Sequence, residues 1–381
     1  MRTWLRMSPM QTSASHRETW VSKDSPKDLG RSYEVNVRLG KPLDVTSLHP
    51  DMAKDFSSYV LRSRTAKTSL FRTAKLERVS KCPICGFPAK NSQFRLKVHG
   101  GLYHQCSSCS HCFIINRPTK AALDSFYSRD AGFASAYTNK KTTETRLKQV
   151  AFPKAEWTVK QFKLLYGRKP RSVLDVGAGG GQFVYACTQL GMDAQGIELS
   201  EDSRGFCKKN FGIDLKVADF AVDWKLFSDI DVVTFWAVLE HLPNPMDFLN
   251  AAHKLLSGRK GLVVVEVPRW ESMSTAVQLL FPDSIVRHLS PVGHIHCFTD
   301  NSLSTALEVS GFAPAAAWYF GEDAFELVTQ LSYQLKNNRV VDILAEHISS
   351  LQSSIDKARM SDEIVLAGKP TAKPVPIKNV A

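Results

Sequence analysis

The stretch Val173-Leu-Asp-Val-Gly-Ala-Gly-Gly-Gly-Gln-Phe183 decides the fold. A short apolar, β-branched run holds Asp175; glycines follow at 177, 179 and 181, and a helical pattern starts behind them. Glycine lets the backbone turn sharply and approach a ligand with no Cβ in the way. A glycine fingerprint alone is weak, but here a strand precedes it and a helix follows, as the motif requires. About 20 residues further on, Gly196-Ile-Glu198-Leu-Ser closes the next β-rich run, where an acid can take both hydroxyls of a ribose. Working outward, residues 172–321 alternate β-rich runs (172–176, 194–197, 215–217, 231–235, 262–267) with helical stretches. That alternation predicts an α/β fold with a doubly wound parallel sheet.

The spacing is G-x-G-x-G rather than G-x-G-x-x-G, and Asp175 sits where a carboxylate can face a cationic ligand instead of a pyrophosphate. Here the chain resembles the class I S-adenosylmethionine-dependent methyltransferases, whose loop reads D/E-x-G-x-G-x-G. Asp175, Gly177, Gly179 and Gly181 match it. Glu198 matches the ribose-binding acid, and Val217-Ala-Asp219-Phe220 the segment whose Asp meets the adenine amino group. Asp231-Val-Val-Thr-Phe-Trp-Ala-Val-Leu-Glu-His-Leu-Pro243 and Gly261-Leu-Val-Val-Val-Glu-Val-Pro268 match the next two strands. The resemblance spans residues 120–368 and implies a seven-stranded Rossmann-like sheet with S-adenosylmethionine as cofactor. Trp236, beside the cofactor loop, is either core or a cofactor-pocket wall.

A hydroxyl or carbon acceptor needs a base, commonly His or a carboxylate. Glu240-His241 follows a strand at the carboxyl edge where ligands bind in open α/β sheets. His294 lies in Gly293-His-Ile-His-Cys-Phe-Thr299, ahead of a helix. This second segment resembles a branch of the family with an N-terminal zinc module, through His294, Phe298, Thr299, Ser302-Leu303 and Gly311-Phe312. The branch includes sugar C-methyltransferases and other enzymes of saccharide biosynthesis. Its sugar C-methyltransferases carry Glu before the His, where this chain has Gly293. The resemblance also makes Tyr127 and Tyr137 substrate-binding candidates.

Cys82-Pro-Ile-Cys85 and Cys106-Ser-Ser-Cys109 are separated by twenty residues that begin at Gly86. Each C-x2-C turn aims two thiolates at one point, and two such turns build a tetrahedral four-sulfur zinc site, structural because no position stays open for water. His104, His111 and Cys112 lie close enough in sequence to replace one ligand. Cys187, Cys207 and Cys297 are scattered and read as buried, inert residues.

The chain has 381 residues, with 49 Lys plus Arg against 37 Asp plus Glu, a formal charge of +12. Residues 1–81 hold 16 basic and 8 acidic residues, so +8 of the charge sits in the first fifth. Apolar content of 43% excludes a wholly disordered chain, and no run nears the ~18 apolar residues of a membrane helix. No secretory leader is apparent, and a cytoplasmic location is expected. The expected division is a basic flexible arm (1–80), a zinc module (81–118), a helical connection (119–170), a methyltransferase domain (171–368) with a helical insertion (322–358), and a loose tail (369–381).

Three functions follow. The leading one is methyl transfer to a small or saccharide-linked acceptor, with the zinc module as a wall of the acceptor pocket. A second is RNA methylation, with zinc module and basic arm gripping phosphate; few aromatic residues around 81–118 are placed to stack bases. The third is a non-catalytic binder that retains the fold.

Overall fold

In the computed structural model, which describes residues 2–6, 14–25, 28–123, 138 and 140–376, the run before the glycines lies inside a nine-stranded sheet. The strands in chain order are β1 (Thr3–Arg6), β2 (Ser15–Lys23), β3 (Arg31–Leu39), β4 (Leu76–Arg78), β5 (Gln93–Val98), β6 (Gly101–Gln105), β7 (Cys112–Ile114) and β8 (Asn116–Pro118). They continue with β9 (Ser172–Val176), β10 (Asp193–Ile197), β11 (Val232–Trp236), β12 (Leu262–Pro268), β13 (His296–Cys297), β14 (Phe312–Phe320) and β15 (Glu363–Pro370). The large sheet has the order β1-β2-β3-β14-β15-β12-β11-β9-β10. A smaller sheet, β13-β7-β6-β5, and the pair β4-β8 surround the cysteines.

β9 to β12 run parallel; β15 is antiparallel to β12 and β14, so β14 and its parallel neighbour β3 point the same way as β12. One sheet edge therefore collects the carboxyl ends Val176, Ile197, Trp236, Pro268, Phe320 and Leu39, the edge at which such sheets bind ligands. β9 and β12 are buried along their whole length, which explains their near-continuous apolar sequences. Helices Phe152–Tyr166 and Gln182–Gln189 cover one face through Trp157, Phe162 and Phe183. Helices Pro245–Leu256 and Asp300–Val309 cover the other through Leu249, Leu256, Leu303 and Leu307. No helix among the described residues is long and apolar enough to cross a membrane.

Several expectations change. The sheet has nine strands in place of seven, and the run expected at 215–217 contributes one bridge, Lys216 to Ile197. Val217 is 63% exposed there, so nothing packs that run into a strand. The described part of residues 1–80, expected to be a flexible arm, is folded into the body. β3 extends the large sheet from β14, β2 hairpins onto β3, and β1 adds the edge. Val45, Leu48, Met52, Phe56 and Val60 pack on Phe325, Val328, Ile348 and Ile355 of the 322–358 helices. Each such burial contributes roughly 1.5–3 kcal/mol.

Several arginines of this segment form internal ion pairs. Arg2 meets Asp24 at 2.8 Å and Glu308 at 3.0 Å, and Arg31 meets Glu308 at 2.6 Å. Arg359 forks onto Glu18, which also accepts from Trp20 Nε1 at 2.9 Å. Burial alone would raise the Glu18 carboxyl, but the hydrogen bonds from Arg359, Trp20 and His16 outweigh it and hold it at about 2. The start of the expected loose tail is also tied down, with Thr371 N donating to Gly311 O at 2.8 Å and Arg2 Nη2 to Pro376 O at 2.9 Å.

Candidate active site

The glycine turn is held by its neighbours. Gly177 N and Ala178 N both donate to Ile197 O, at 2.9 and 2.8 Å, tying the end of β9 to the end of β10. Gly177, Gly179 and Gly181 all have left-handed backbones, with φ of 74, 53 and 78°. A Cβ at Gly177 would stand 2.7 Å from Val238 Cγ2, and one at Gly181 would overlap Cys207 Sγ. Glu198 is half-buried; its Oε2 accepts from Gly179 N at 2.8 Å and its Oε1 from Ser200 N at 2.7 Å. The expected acid is therefore locked against the turn it was expected to serve.

Asp175 is 2% exposed and accepts from Thr234 Oγ1 at 2.7 Å, its partner in the β9–β11 register. Burial pushes its carboxyl up to about 7, with Thr234 and Lys154 opposing and Glu198 adding to the rise. Asp219 is exposed and caps the short helix Phe220–Asp223, its Oδ1 accepting from Ala221 N at 3.1 Å. The loop at 216 bridges to β10, which keeps Asp219 beside the same edge.

Trp236 ends β11, half-buried, with Phe183 5.1 Å away and Lys154 Nζ 4.7 Å from its ring centre. Lys154 Nζ donates to Glu266 Oε1 at 2.8 Å, and Glu266 is the β12 residue beside Trp236 in register. Neither Lys154 nor Glu266 was anticipated as a site residue. The legible signal was the single acid in the apolar run of β12, since a buried charge requires a partner. Lys41, from the N-terminal segment, is 6% exposed, with Nζ 4.3 Å from the Phe320 ring centre. Burial, then nearby Lys154, pushes its amine down to about 7.

Past Trp236, Ala237 adopts a left-handed backbone (φ 54°), an uncommon state for a residue with a Cβ, and the chain enters the tight turn Leu239–His241. This turn buries Glu240 to 1% exposure, with no hydrogen bond to either carboxylate oxygen, and burial pushes the acid up to about 8. His241 Nδ1 donates to Gly293 O at 2.6 Å, and its Nε2 is 3.7 Å from Glu240 Oε1. His294 Nδ1 donates to His288 O at 2.6 Å, and the two imidazole rings are 5.2 Å apart. Side-chain N and O atoms from Glu240, His241 and His294 lie within 4.8 Å of one another. Burial lowers both imidazoles, and for His294 the proximity of His241 adds to it, so both are neutral at neutral pH. Two candidates read separately from the sequence, the pair Glu240-His241 and His294, thus lie in one place. Tyr127 and Tyr137 fall outside the described residues.

Cys82, Cys85, Cys106 and Cys109 also meet, their sulfurs within 4.8 Å of one another. Cys82–Cys109 and Cys85–Cys106 are each 3.6 Å apart. That is too long for disulfides at about 2.05 Å and close to the ~3.8 Å edge of a tetrahedron with metal–sulfur bonds of ~2.3 Å. Both C-x2-C turns close alike, Gly86 N donating to Cys82 O at 2.9 Å and Ser110 N to Cys106 O at 3.0 Å. His104 and His111 are directed elsewhere, to Ser92 at 3.0 Å and to His296 at 3.1 Å. The donor set fits a structural metal ion. Cys187, Cys207 and Cys297 are buried and unpaired by disulfides.

Residues 154–317 match the family model described as a methyltransferase domain. The chain is similar to a ubiquinone biosynthesis O-methyltransferase of Azoarcus sp. (strain BH72), 33% identical over 99 residues, covering 23% of this chain and 41% of that protein. The enzyme of the same name from Methylococcus capsulatus is 36% identical over 91 residues, 22% of this chain and 38% of its own. That from Bordetella avium (strain 197N) is 27% identical over 198 residues, 50% and 78% respectively. The chain thus spans about two fifths of the first two relatives. Among solved structures, the plantazolicin methyltransferase BamL, in complex with a triazolic desmethylPZN analog and SAH, aligns with a TM-score of 0.43 at 16% identity, covering 66% of this chain and 94% of that one. A SAM-dependent methyltransferase from Archaeoglobus fulgidus aligns with a TM-score of 0.38 at 21% identity, covering 59% and 97%. The family match is thus to a methyltransferase domain and takes in the strands β9 to β12 with the glycine turn.

Proposed function

We propose that this chain, through the methyltransferase domain it carries, transfers the methyl group of S-adenosylmethionine to a small, polar acceptor, and that the acceptor is saccharide-linked. The observation that carries the reading is the meeting of Glu240, His241 and His294 at the edge that also holds the glycine turn. The left-handed turn at Gly177, Gly179 and Gly181 and the carboxylates of Glu198 and Asp175 would receive a sulfonium-bearing nucleoside; Asp219 and Trp236 complete the cofactor side. When bound, that cofactor supplies a methyl carbon open to in-line attack.

His294 is the base. Its Nδ1–H is committed to the His288 carbonyl, so Nε2 takes the acceptor proton as the new bond to the methyl carbon forms. Glu240 and His241 stand beside it, their side-chain O and N atoms within 4.8 Å of its own. The Lys154–Glu266 ion pair beside Trp236 makes the surroundings charged and hydrogen-bonding, which suits hydroxyl-rich acceptors better than apolar ones. The four cysteines hold Zn2+ as a structural ion at the wall of this region. The RNA reading loses support because Arg2, Arg6 and Arg31 are engaged in ion pairs.

Incubating the intact chain with methyl-labelled S-adenosylmethionine and, separately, nucleotide-linked sugars, free phenols and RNA tests the reading. Label on a sugar nucleotide is expected. Label confined to RNA or to phenols would overturn the acceptor class.

A further inference from the structure

The two segments that bring the acceptor-side imidazoles together are bonded to the four-cysteine module at successive carbonyls. β7 pairs antiparallel with β13, Phe113 opposite His296 and Cys112 opposite Cys297. Ile114 N donates to Ile295 O at 3.0 Å. Tyr103, on β6 and fully buried, donates its hydroxyl hydrogen to His294 O at 2.7 Å. These contacts set the backbone of His294 from the cysteine side.

The turn carrying Glu240 and His241 is held from the same side. His111 stands between Cys109 and Cys112 in sequence, and its carbonyl accepts from Cys106 N at 2.9 Å, inside the second C-x2-C turn. His111 Nε2 is 3.1 Å from His296 Nδ1, and His296 Nε2 is 2.9 Å from Leu242 O. A carbonyl only accepts, so His296 carries its hydrogen on Nε2, its Nδ1 accepts, and His111 donates from Nε2. The strut therefore runs from the Cys106 turn through two imidazoles to the residue directly after His241. Arg117, on β8, adds a parallel tie, its Nη1 donating to Pro243 O at 2.8 Å.

We infer that the four-cysteine module is a positioning device for His294 and His241, with Tyr103 and His111 as the positioning residues that transmit its geometry. A metal that merely stabilised a small module would require no bonds to both imidazole-bearing segments. The inference rests on the proposed role of His294 and His241, yet it can be read without methyl transfer.

The test is nitrogen-detected NMR of the metal-loaded full chain with 15N-labelled histidine, comparing the native protein with Tyr103→Phe and His111→Gln, together with S-adenosylmethionine titrations. Tyr103→Phe should shift the His294 ring nitrogens and His111→Gln those of His241, while exposed His347 stays in place and cofactor affinity changes less than about twofold. With an acceptor in hand, Tyr103→Phe should lower kcat about tenfold to a hundredfold at unchanged KM for S-adenosylmethionine, the cost of a small misplacement of a reacting group. Replacing the native ion by Cd2+, whose bonds to sulfur are longer, should move the His294 and His241 signals in the native protein. His294 and His241 resonances that stay put in both variants and on Cd2+ exchange would overturn the inference. If the shifts appear but no S-adenosylmethionine binds, the positioning stands and the proposed function fails.

Discussion

The two halves of the ligand-binding edge are built by opposite routes. The glycine turn draws on residues 175 to 200, and its backbone bonds join the end of β9 to the end of β10 and the residues directly after each. The acceptor side draws on Lys154, Glu240, Glu266 and His294, gathered from a strand, a helix and loops well apart in the chain. A cofactor cradle can be encoded locally because its demand is a backbone shape. An acceptor pocket collects side-chain chemistry, which only tertiary packing brings together. The N-terminal segment places Lys41 against Phe320 at the end of β14 and is fastened to distant partners by Glu18–Arg359 and Arg2–Glu308.

Substitutions that strike one half should leave the other readable. The largest effect is expected from His294→Ala, which should cut turnover by about 10²–10⁴-fold, the usual worth of a general base. Cofactor affinity should stay within about twofold of native by calorimetry, since the His294 ring bonds to the His288 carbonyl and not to the glycine turn. Full turnover in that variant would remove His294 from the chemistry. Next, Arg359→Ala should lower unfolding free energy by about 3 kcal/mol in urea titration, because it strands the buried Glu18 carboxylate. A change below ~0.5 kcal/mol would mean that the N-terminal segment is not fastened as described. Folded Glu18 is held at about 2. Its contribution is therefore complete above the unfolded carboxyl value of about 4.3 and is lost as pH falls toward 2, so the gap between native and Arg359→Ala should close in acid.

On the cofactor half, Gly177→Val should weaken S-adenosylmethionine binding by roughly 2–3 kcal/mol, from the left-handed backbone and the clash with Val238. The smallest effect tests the buried acid. Glu240 is protonated in the fold up to about 8 and would ionise near 4.3 when unfolded, so its penalty to the fold accumulates as pH rises from 4 to 8. Glu240→Gln, which carries no such penalty, should therefore gain about 1–2 kcal/mol relative to native between pH 5 and pH 6. Equal stability of the two proteins at both pH values would show the acid to be solvated.

Legibility in the sequence follows the same division. The strand–glycine–helix signal, Glu198 and the two C-x2-C turns could all be read because each depends on spacing within a few tens of residues. Glu240, His241 and His294 were legible one at a time; their approach to within 4.8 Å depends on β13 pairing with β7, which no local pattern announces. The N-terminal segment read as a loose arm because its polar residues conceal their partners. Glu18 and Arg2 resemble solvated charges until Arg359 and Glu308 are placed beside them. Lys154 was missed for a similar reason: on an amphipathic helix it reads as surface, although it is 8% exposed and paired with Glu266. The missing strand at 215–217 shows the reverse error: Leu215-Lys-Val217 alternates as a strand would, yet only Lys216 makes a bridge and Val217 lies exposed.

The central claim is that the edge holding the glycine turn binds S-adenosylmethionine in this chain. Calorimetric titration of the intact protein with that compound tests it most directly. Saturable binding at one site per chain, weakened about tenfold or more by Gly177→Val, is the predicted result. No heat of binding in the native protein, with no stabilisation against thermal unfolding at excess ligand, would contradict it.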